Sequence, residues 1–189
     1  MRKGNKSFSF LTLNKKYIMI TKEVMERLTS DTKDLFDFYD EKRLSKSKKQ
    51  KSEDISGLLE TAMEDLIDGA IAPKVDSEPD IRLNGSPVEI KTTADYKPAT
   101  WRGGGLSKRE GHFIFVTWNA DENNNPSFFL AGIDLVQSDW NKGSDNYYAK
   151  TYGKKELYSN NDKVTFYHGS LEGYARGKQT CIRVHLSEI

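Results

Sequence analysis

Two carboxylates and one lysine, Asp80, Glu89 and Lys91, stand close together in this sequence. Between the carboxylates lies Asn84-Gly85, a pair typical of the tightest β-hairpin turns, in which both turn residues need a positive φ. A turn at this pair places Asp80 opposite Glu89, with their Cβ atoms about 4.5–5.5 Å apart. Lys91 is two residues further along the second strand, so its side chain projects from the same face. We therefore expect three ionisable groups to converge on one side of a hairpin.

Such a cluster favours a particular chemistry, because two carboxylates this close repel each other unless a proton or a cation compensates them. Hard oxygen ligands suit Mg²⁺, which usually takes one or two carboxylates, several waters and phosphate oxygens of the substrate. An ion held there lowers the pKa of a bound water and stabilises charge on a phosphate. Lys91 could steer or deprotonate the attacking water, or stabilise the phosphate as a point charge.

The helices that must position the hairpin are indicated by apolar residues at helical spacing. Residues 52–70 carry one apolar stripe, with Ser52 as the predicted N-cap and Gly69 as the predicted stop. Thr21 is predicted to cap an earlier helix, and a second helical pattern covers about 31–41. The basic run at 42–51 is either a solvated loop or helix face, or a contact for DNA phosphates.

After residue 70 the pattern changes to short β-branched runs separated by turn residues. They predict strands at 71–75, 80–83, 87–92, 112–118, 127–135, 163–168 and 181–186. The polar turn at 121–126 should join two of these strands as a hairpin, while 136–162 has an irregular pattern. These elements predict an α/β fold, a central mixed β-sheet flanked by α-helices, in a single domain over 1–189.

Composition excludes several other classes of protein. The formal net charge is +1, which leaves a DNA partner open because only the local clustering of basic groups matters. The single cysteine, Cys181, excludes an intrachain disulfide and favours a cytoplasmic location. No run is apolar enough for a membrane span, and no P-loop or dinucleotide fingerprint is present, so no nucleotide cofactor is expected. The three histidines are too scattered to predict a zinc site.

Pro79-Asp80 followed by Glu89-Ile90-Lys91 resembles the motif of the PD-(D/E)xK nuclease superfamily. That superfamily includes most type II restriction endonucleases, along with repair, recombination and phage nucleases. The resemblance, which covers roughly residues 52–135, implies a restriction-endonuclease-like core of a helix, a mixed sheet and a second helix. It implies that Asp80 and Glu89 bind Mg²⁺, with the Ile90 carbonyl as a further ligand and Lys91 as the catalytic lysine.

Many members of the superfamily add a glutamate from the helix before the sheet. Glu60 is the candidate here, and Glu64 is the second choice. The second core helix of the superfamily has no clear counterpart, because residues 93–111 contain Pro98 and the glycines at 103–105 and do not show a helical pattern.

Contacts with DNA are predicted in the long loop at 93–111, directly after the catalytic strand. Loops of this length in compact domains are often functional. Its basic residues suit phosphates and guanine bases; they are Lys97, Arg102, Lys108 and Arg109. A flexible, solvated loop is the competing interpretation.

The resulting hypothesis is a Mg²⁺-dependent endonuclease acting on double-stranded DNA, of the type II restriction class. Cutting both strands of a palindrome needs two active sites, which favours a homodimer. The alternatives are a phage, repair or structure-specific nuclease of the same superfamily, a non-catalytic DNA-binding module of the same fold, and a structural protein with an incidental ion pair on its hairpin.

Overall fold

The structure, a computed structural model, describes residues 20–75, 78–94, 100–104, 111–136, 141–142, 148–153 and 164–168. Within these residues lie two helices, α1 (Lys22–Glu41) and α2 (Lys48–Leu66). The strands are β1 (Ala70–Ile71), β2 (Ile81–Leu83), β3 (Ser86–Ala94), β4 (Thr100–Gly104), β5 (Gly111–Ala120), β6 (Pro126–Leu135), β7 (Asn141–Lys142), β8 (Tyr148–Gly153) and β9 (Val164–His168). The α/β class expected from the sequence is confirmed.

Six strands form a mixed sheet in the order β1-β2-β3-β5-β6-β9, in which β3 and β5 are parallel and all other neighbours are antiparallel. The hairpin of β5 and β6 around the 121–126 turn is as predicted. A second sheet has the order β4-β8-β7. The predictions of a loop over 93–111 and of irregular chain over 136–162 are therefore wrong at β4, β7 and β8. Backbone pairing between distant segments needs no alternating sequence pattern.

The β2–β3 hairpin has the predicted turn and register. Asn84 and Gly85 have φ values of 48° and 82°, which is the positive-φ pair that a two-residue turn of this kind requires. The paired positions are Ile81 with Val88, Arg82 with Pro87, and Leu83 with Ser86. Asp80 directly precedes the first of these pairs and Glu89 directly follows it, so the turn brings the two carboxylates together.

The first helix is one continuous element rather than the two separate patterns predicted. Thr21 caps α1 through its side chain, which accepts a hydrogen bond from Val24 N at 3.3 Å. Its buried face packs on the sheet, and the rings of Phe36 and Trp118 lie 5.4 Å apart. Tyr39 ties α1 to α2 by donating a hydrogen bond of 2.6 Å to Asp54 Oδ2.

The second helix begins four residues before the predicted start at Ser52. Its N-cap is Ser47, and Gln50 completes a capping box with the Ser47 backbone and side chain. Ser52 is instead an interior residue that binds the sheet, since its hydroxyl donates to Lys48 O at 2.9 Å and accepts from Trp118 Nε1 at 2.8 Å. The reciprocal cap at 47–50 satisfies two backbone donors, whereas Ser52 alone would satisfy one.

Both helices pack on the same face of the six-stranded sheet and enclose one hydrophobic core. The sheet contributes to it alternate residues of its central strands, among them Val88, Ile90, Ile114, Val116 and Leu130. Residues of the opposite face, such as Phe113 and Phe115, are also fully buried. Neither helix in the described part of the chain combines the length and apolarity that a membrane span needs.

Candidate active site

The predicted cluster lies at the point where the pairing of β3 with β2 ends. β2 pairs with β3 only as far as Val88, while β5 continues along the other side of β3 from Val88 to Ala94. Among the described residues, the chain from Glu89 to Ala94 therefore has a strand partner on one side only. Asp80 takes up the first backbone donor of this edge, because its Oδ2 accepts a hydrogen bond of 2.7 Å from Ile90 N.

Three oxygens converge on the ammonium group of Lys91. Its Nζ lies 2.9 Å from Glu89 Oε2, 3.1 Å from the Ile90 carbonyl oxygen and 3.4 Å from Asp80 Oδ2. These are the three groups that the sequence motif implies as metal ligands. The hairpin thus gathers two carboxylates and one carbonyl around a single cationic group.

The cluster is largely withdrawn from solvent. The Glu89 side chain is 1% exposed, and those of Asp80 and Lys91 are 19% and 23% exposed. Ile81, Val88 and Ile90 point to the other side of the hairpin and are buried in the core, as predicted from the alternation of the strand. The opposing apolar side chains fix the orientation of Glu89 and Lys91, because a slip of one residue would exchange the two faces.

A second ion pair on the same hairpin differs in its surroundings. Arg82 Nε lies 3.0 Å from Glu78 Oε2, and both side chains are 40% exposed. Exposed pairs of this kind contribute about 0–1 kcal/mol to stability. Substitutions of Glu78 and Arg82 are therefore suitable controls for substitutions of Asp80 and Lys91.

The donor set at the open edge fits Mg²⁺ by its chemistry. All three oxygens are hard ligands, two are carboxylates, and they already enclose a positive charge. No trio of His, Cys, Asp or Glu side chains gathers as a metal site within the described ranges. Two carboxylates with a carbonyl are nevertheless sufficient for an ion that keeps several waters.

The two glutamates proposed from α2 have different positions. Glu64 is exposed, and its Oε1 accepts a hydrogen bond of 3.0 Å from Ala72 N, which ties it to the end of β1. Glu60 is half-buried and lies one turn after Ser56 on the helix. Ser56 lines a cavity together with Lys91. Glu60 therefore follows Ser56 on the helix face that borders this cavity.

A cavity of about 400 Å³ adjoins Lys91 between α2 and the second half of β3. It is lined by Lys48, Lys49, Ser52, Glu53 and Ser56 of the helix and by residues 90–94 of the strand. Its size falls in the range of about 300–1,000 Å³ that ligand-binding clefts usually have. Sequence reasoning did not place Lys48 and Lys49 here, although the Ser47–Gln50 capping box was a usable signal for the true helix start.

The residues predicted to contact DNA are only partly described. Lys97, Lys108 and Arg109 lie outside the described residues. Arg102 belongs to β4, where it pairs with Thr151 of β8. This position makes Arg102 part of a second sheet rather than of a long loop.

A second polar cluster, not predicted from the sequence, joins β5, β6 and β9. Asp134 Oδ1 lies 2.7 Å from His112 Nδ1, and the Tyr167 hydroxyl lies 2.8 Å from His112 Nε2. Burial raises the pKa of Tyr167 well above its usual value, with a smaller contribution from the negative charge of Asp134. Gly132 makes room for the cluster, since a Cβ at this position would lie 2.3 Å from His112 Nε2.

A scan of the chain against protein-family models gave no match, and a search of the curated proteins found no relative.

Proposed function

We propose that this chain is a Mg²⁺-dependent nuclease that hydrolyses phosphodiester bonds of double-stranded DNA at the open edge of β3. The observation that carries the proposal is the convergence of Asp80 Oδ2, Glu89 Oε2 and Ile90 O within 3.4 Å of Lys91 Nζ. An incidental surface ion pair would be exposed, as Glu78 and Arg82 are. The buried group of three oxygens is better explained by a site that holds a cation.

Asp80, Glu89 and the Ile90 carbonyl would hold Mg²⁺, which when bound lowers the pKa of a water and neutralises charge on a phosphate. The Nζ of Lys91 lies within hydrogen-bond distance of all three oxygens. As a cation, Lys91 would act as a point charge that stabilises the negative phosphate oxygens in the transition state. The apolar residues behind the hairpin hold these groups in place before substrate binds.

Glu60 is proposed as an additional acidic residue of the site. The first half of α2 faces the end of β3 through Ser52, which binds Trp118, the partner of Ala94. Near the other end of the helix, Gly69 O accepts a hydrogen bond of 2.9 Å from Asn84 N, at the start of β3. The helix therefore runs antiparallel to the strand. Eight helical residues span about 12 Å, or nearly four strand residues, so a helix aligned with the strand would have Glu60 near the level of Ile90.

A restriction-endonuclease-like fold and a type II restriction activity are proposed from the resemblance of the motif and the mixed sheet that carries it. A homodimer follows from the same proposal, because two-strand cleavage at a palindrome needs two sites. The proposed identity has one unusual feature, since β4 occupies the described part of the connection between β3 and β5. In the superfamily, the second core helix is expected in such a connection.

The test is incubation of the purified protein with a long duplex DNA in Mg²⁺ or in EDTA. Lys91→Ala and Asp80→Asn are expected to reduce cleavage at least about 10²–10³-fold, the usual effect of losing one charge-stabilising group. Glu78→Gln is the matched control, because it removes a carboxylate two residues from Asp80 that pairs with Arg82 instead.

Discrete fragments that require Mg²⁺ and Lys91 would support the restriction class, and a Mg²⁺-dependent smear would favour a phage or repair role. Equal cleavage by the Lys91→Ala, Asp80→Asn and unaltered proteins would refute the assignment of the site. Binding of DNA without cleavage of duplex or branched substrates would favour the non-catalytic DNA-binding module.

A further inference from the structure

The lysines around the start of α2 fall into two groups according to what they contact. Three of them lie over aromatic rings of α1: Lys42 over Phe38 at 5.9 Å, Lys46 over Tyr39 at 5.3 Å and Lys51 over Phe36 at 4.3 Å. These contacts join α1 to the loop that follows it and to α2. Lys48 and Lys49 instead line the cavity that adjoins Lys91. The basic run is therefore not one uniform solvated surface.

Lys48 and Lys49 occupy positions that are unfavourable for helix stability. They are the first two residues of α2, where the partial positive charge of the helix dipole favours acidic side chains, and the first turn of α2 has none. Lys49 gains little in return, because its ion pair with Glu53 is 3.6 Å long and its side chain is 85% exposed. Two cations that line one cavity beside Lys91 would suit a negatively charged ligand.

The lining of the cavity indicates which part of a nucleic acid it suits. Beside the two lysines the cavity is lined by the hydroxyl residues Ser52, Ser56, Thr92 and Thr93, by Ile90, Lys91 and Ala94 of β3, and by one carboxylate, Glu53, which pairs with Lys49. None of the described residues that line it has an aromatic side chain on which a base could stack. Cations and hydroxyl groups are the usual partners of phosphate and sugar, which fix the position of DNA without reading its sequence.

We propose that Lys48 and Lys49 bind the sugar–phosphate backbone of the DNA strand being cut, next to the phosphate at Lys91. This inference rests on the proposed nuclease function and assigns the contact to α2, separately from the basic residues expected at 93–111. The backbone of the strand enters between the first turns of α2 and the end of β3. The contact contributes the same binding free energy whatever the sequence of the DNA.

The experiment measures the affinity for a fluorescein-labelled duplex over a range of salt concentrations, by anisotropy in EDTA so that cleavage does not compete. The test protein is Lys48→Gln/Lys49→Gln. The slope of log affinity against log salt concentration should be smaller in magnitude by about 2 than that of the unaltered protein, a change of about 1 for each lost phosphate contact. The loss should be the same for duplexes of different sequence.

The control is Lys22→Gln/Lys33→Gln, which removes two lysines from α1. Lys22 also lies in a helical first turn and pairs with Glu26 at 3.4 Å, with exposures close to those of Lys49 and Glu53. Lys33 likewise pairs with the residue four positions later, Asp37. This control should keep the salt dependence of the unaltered protein. The melting temperatures of the two double variants, compared with that of the unaltered protein, check that both are folded.

Three results have distinct meanings. An unchanged slope in Lys48→Gln/Lys49→Gln, from a protein that binds DNA and cleaves it with Mg²⁺, would overturn the contact at α2 and leave the nuclease proposal standing. A reduced slope without any Mg²⁺-dependent cleavage would support the contact and overturn the nuclease. Absence of both DNA binding and Mg²⁺-dependent cleavage in the unaltered protein would overturn both.

Discussion

Two polar clusters in the same sheet differ in how their charges are arranged. The edge cluster, formed by Asp80, Glu89 and Lys91, directs two carboxylates and the Ile90 carbonyl at one ammonium group. The histidine cluster, formed by His112, Asp134 and Tyr167, is a line of hydrogen bonds across three strands. When Asp134 accepts from Nδ1–H, the other ring nitrogen is left to accept from the Tyr167 hydroxyl.

The difference indicates which cluster suits a ligand. In the histidine cluster each ring nitrogen has a partner, and Gly132 leaves just enough space for the ring and the tyrosine. Such a chain of hydrogen bonds joins the three strands β5, β6 and β9. In the edge cluster, two carboxylates and a carbonyl are directed at one ammonium group, and no other described strand pairs with this edge of β3 beyond Val88. Hard oxygen ligands of this kind are those that Mg²⁺ prefers.

The largest effect on stability is expected from Lys91→Ala in the absence of metal. The change removes the ammonium group beside the buried Glu89 carboxylate, and loss of one partner of a buried pair costs about 3–5 kcal/mol. Mg²⁺ should restore much of the loss, so the free energy of unfolding should rise more with Mg²⁺ in Lys91→Ala than in the unaltered protein. Denaturant titrations with and without Mg²⁺ measure both quantities.

Arg82→Ala is the control for that experiment, because it breaks an exposed pair on the same hairpin. It should cost no more than about 1 kcal/mol and should not respond to Mg²⁺. A Mg²⁺ response of equal size in Lys91→Ala and Arg82→Ala would show that the edge cluster is no more a cation site than the surface pair.

Gly132→Ala should damage the histidine cluster without changing the response to metal. The added Cβ would meet His112 Nε2 at 2.3 Å and Tyr167 Cε2 at 2.6 Å, so the rings must move. Overpacking of this kind costs about 1–3 kcal/mol. Gly57→Ala is the matched control, since nothing lies within 4 Å of the methyl group that alanine would add there, and alanine favours the helix. Equal stability of the two variants would contradict the tight packing around His112.

A smaller effect is expected from Tyr167→Phe, and it depends on pH. Burial first, and the charge of Asp134 second, raise the pKa of Tyr167 in the folded protein. The unfolded chain therefore releases this proton first, near pH 10, and the contribution to stability is complete below that pH and lost as pH rises further. The unaltered protein should be about 0.5–1.5 kcal/mol more stable than Tyr167→Phe at pH 8.

The difference in the free energy of unfolding between the unaltered protein and Tyr167→Phe should shrink above pH 10. Chemical denaturation at several pH values checks it, and the contribution of Tyr39, whose pKa is raised to about 12, cancels because both proteins contain it. A constant difference from pH 8 to pH 11 would contradict the role assigned to burial at Tyr167.

The sequence was sufficient to predict the edge cluster because its geometry is local. Asn84-Gly85 determines the turn, the turn determines the register, and the register brings Asp80 and Glu89 together. The strands at the centre of the sheet were predictable for a related reason, since their short runs of apolar and β-branched residues are separated by clear turns.

The remaining features depend on contacts between distant parts of the chain. The pairing of β4 with β8 joins segments far apart in sequence, and the glycines of β4 give no strand signal. Asp134 and Tyr167 meet His112 only after β6 and β9 have joined the sheet. Lys48 and Lys49 reach the cavity because α2 starts at Lys48 and not at Ser52, the N-cap predicted from the sequence.

The most direct test of the edge cluster is a titration with Mn²⁺, which accepts the same oxygen ligands as Mg²⁺. Electron paramagnetic resonance of the free ion then measures binding without DNA. The unaltered protein and Glu78→Gln should bind Mn²⁺ alike, whereas Asp80→Asn and Glu89→Gln should bind it at least about tenfold more weakly, a change of about 1.4 kcal/mol. Lys91→Ala should bind it as well or better, because the competing ammonium is gone. Equal Mn²⁺ affinity in the unaltered protein and Asp80→Asn would contradict the assignment of the site.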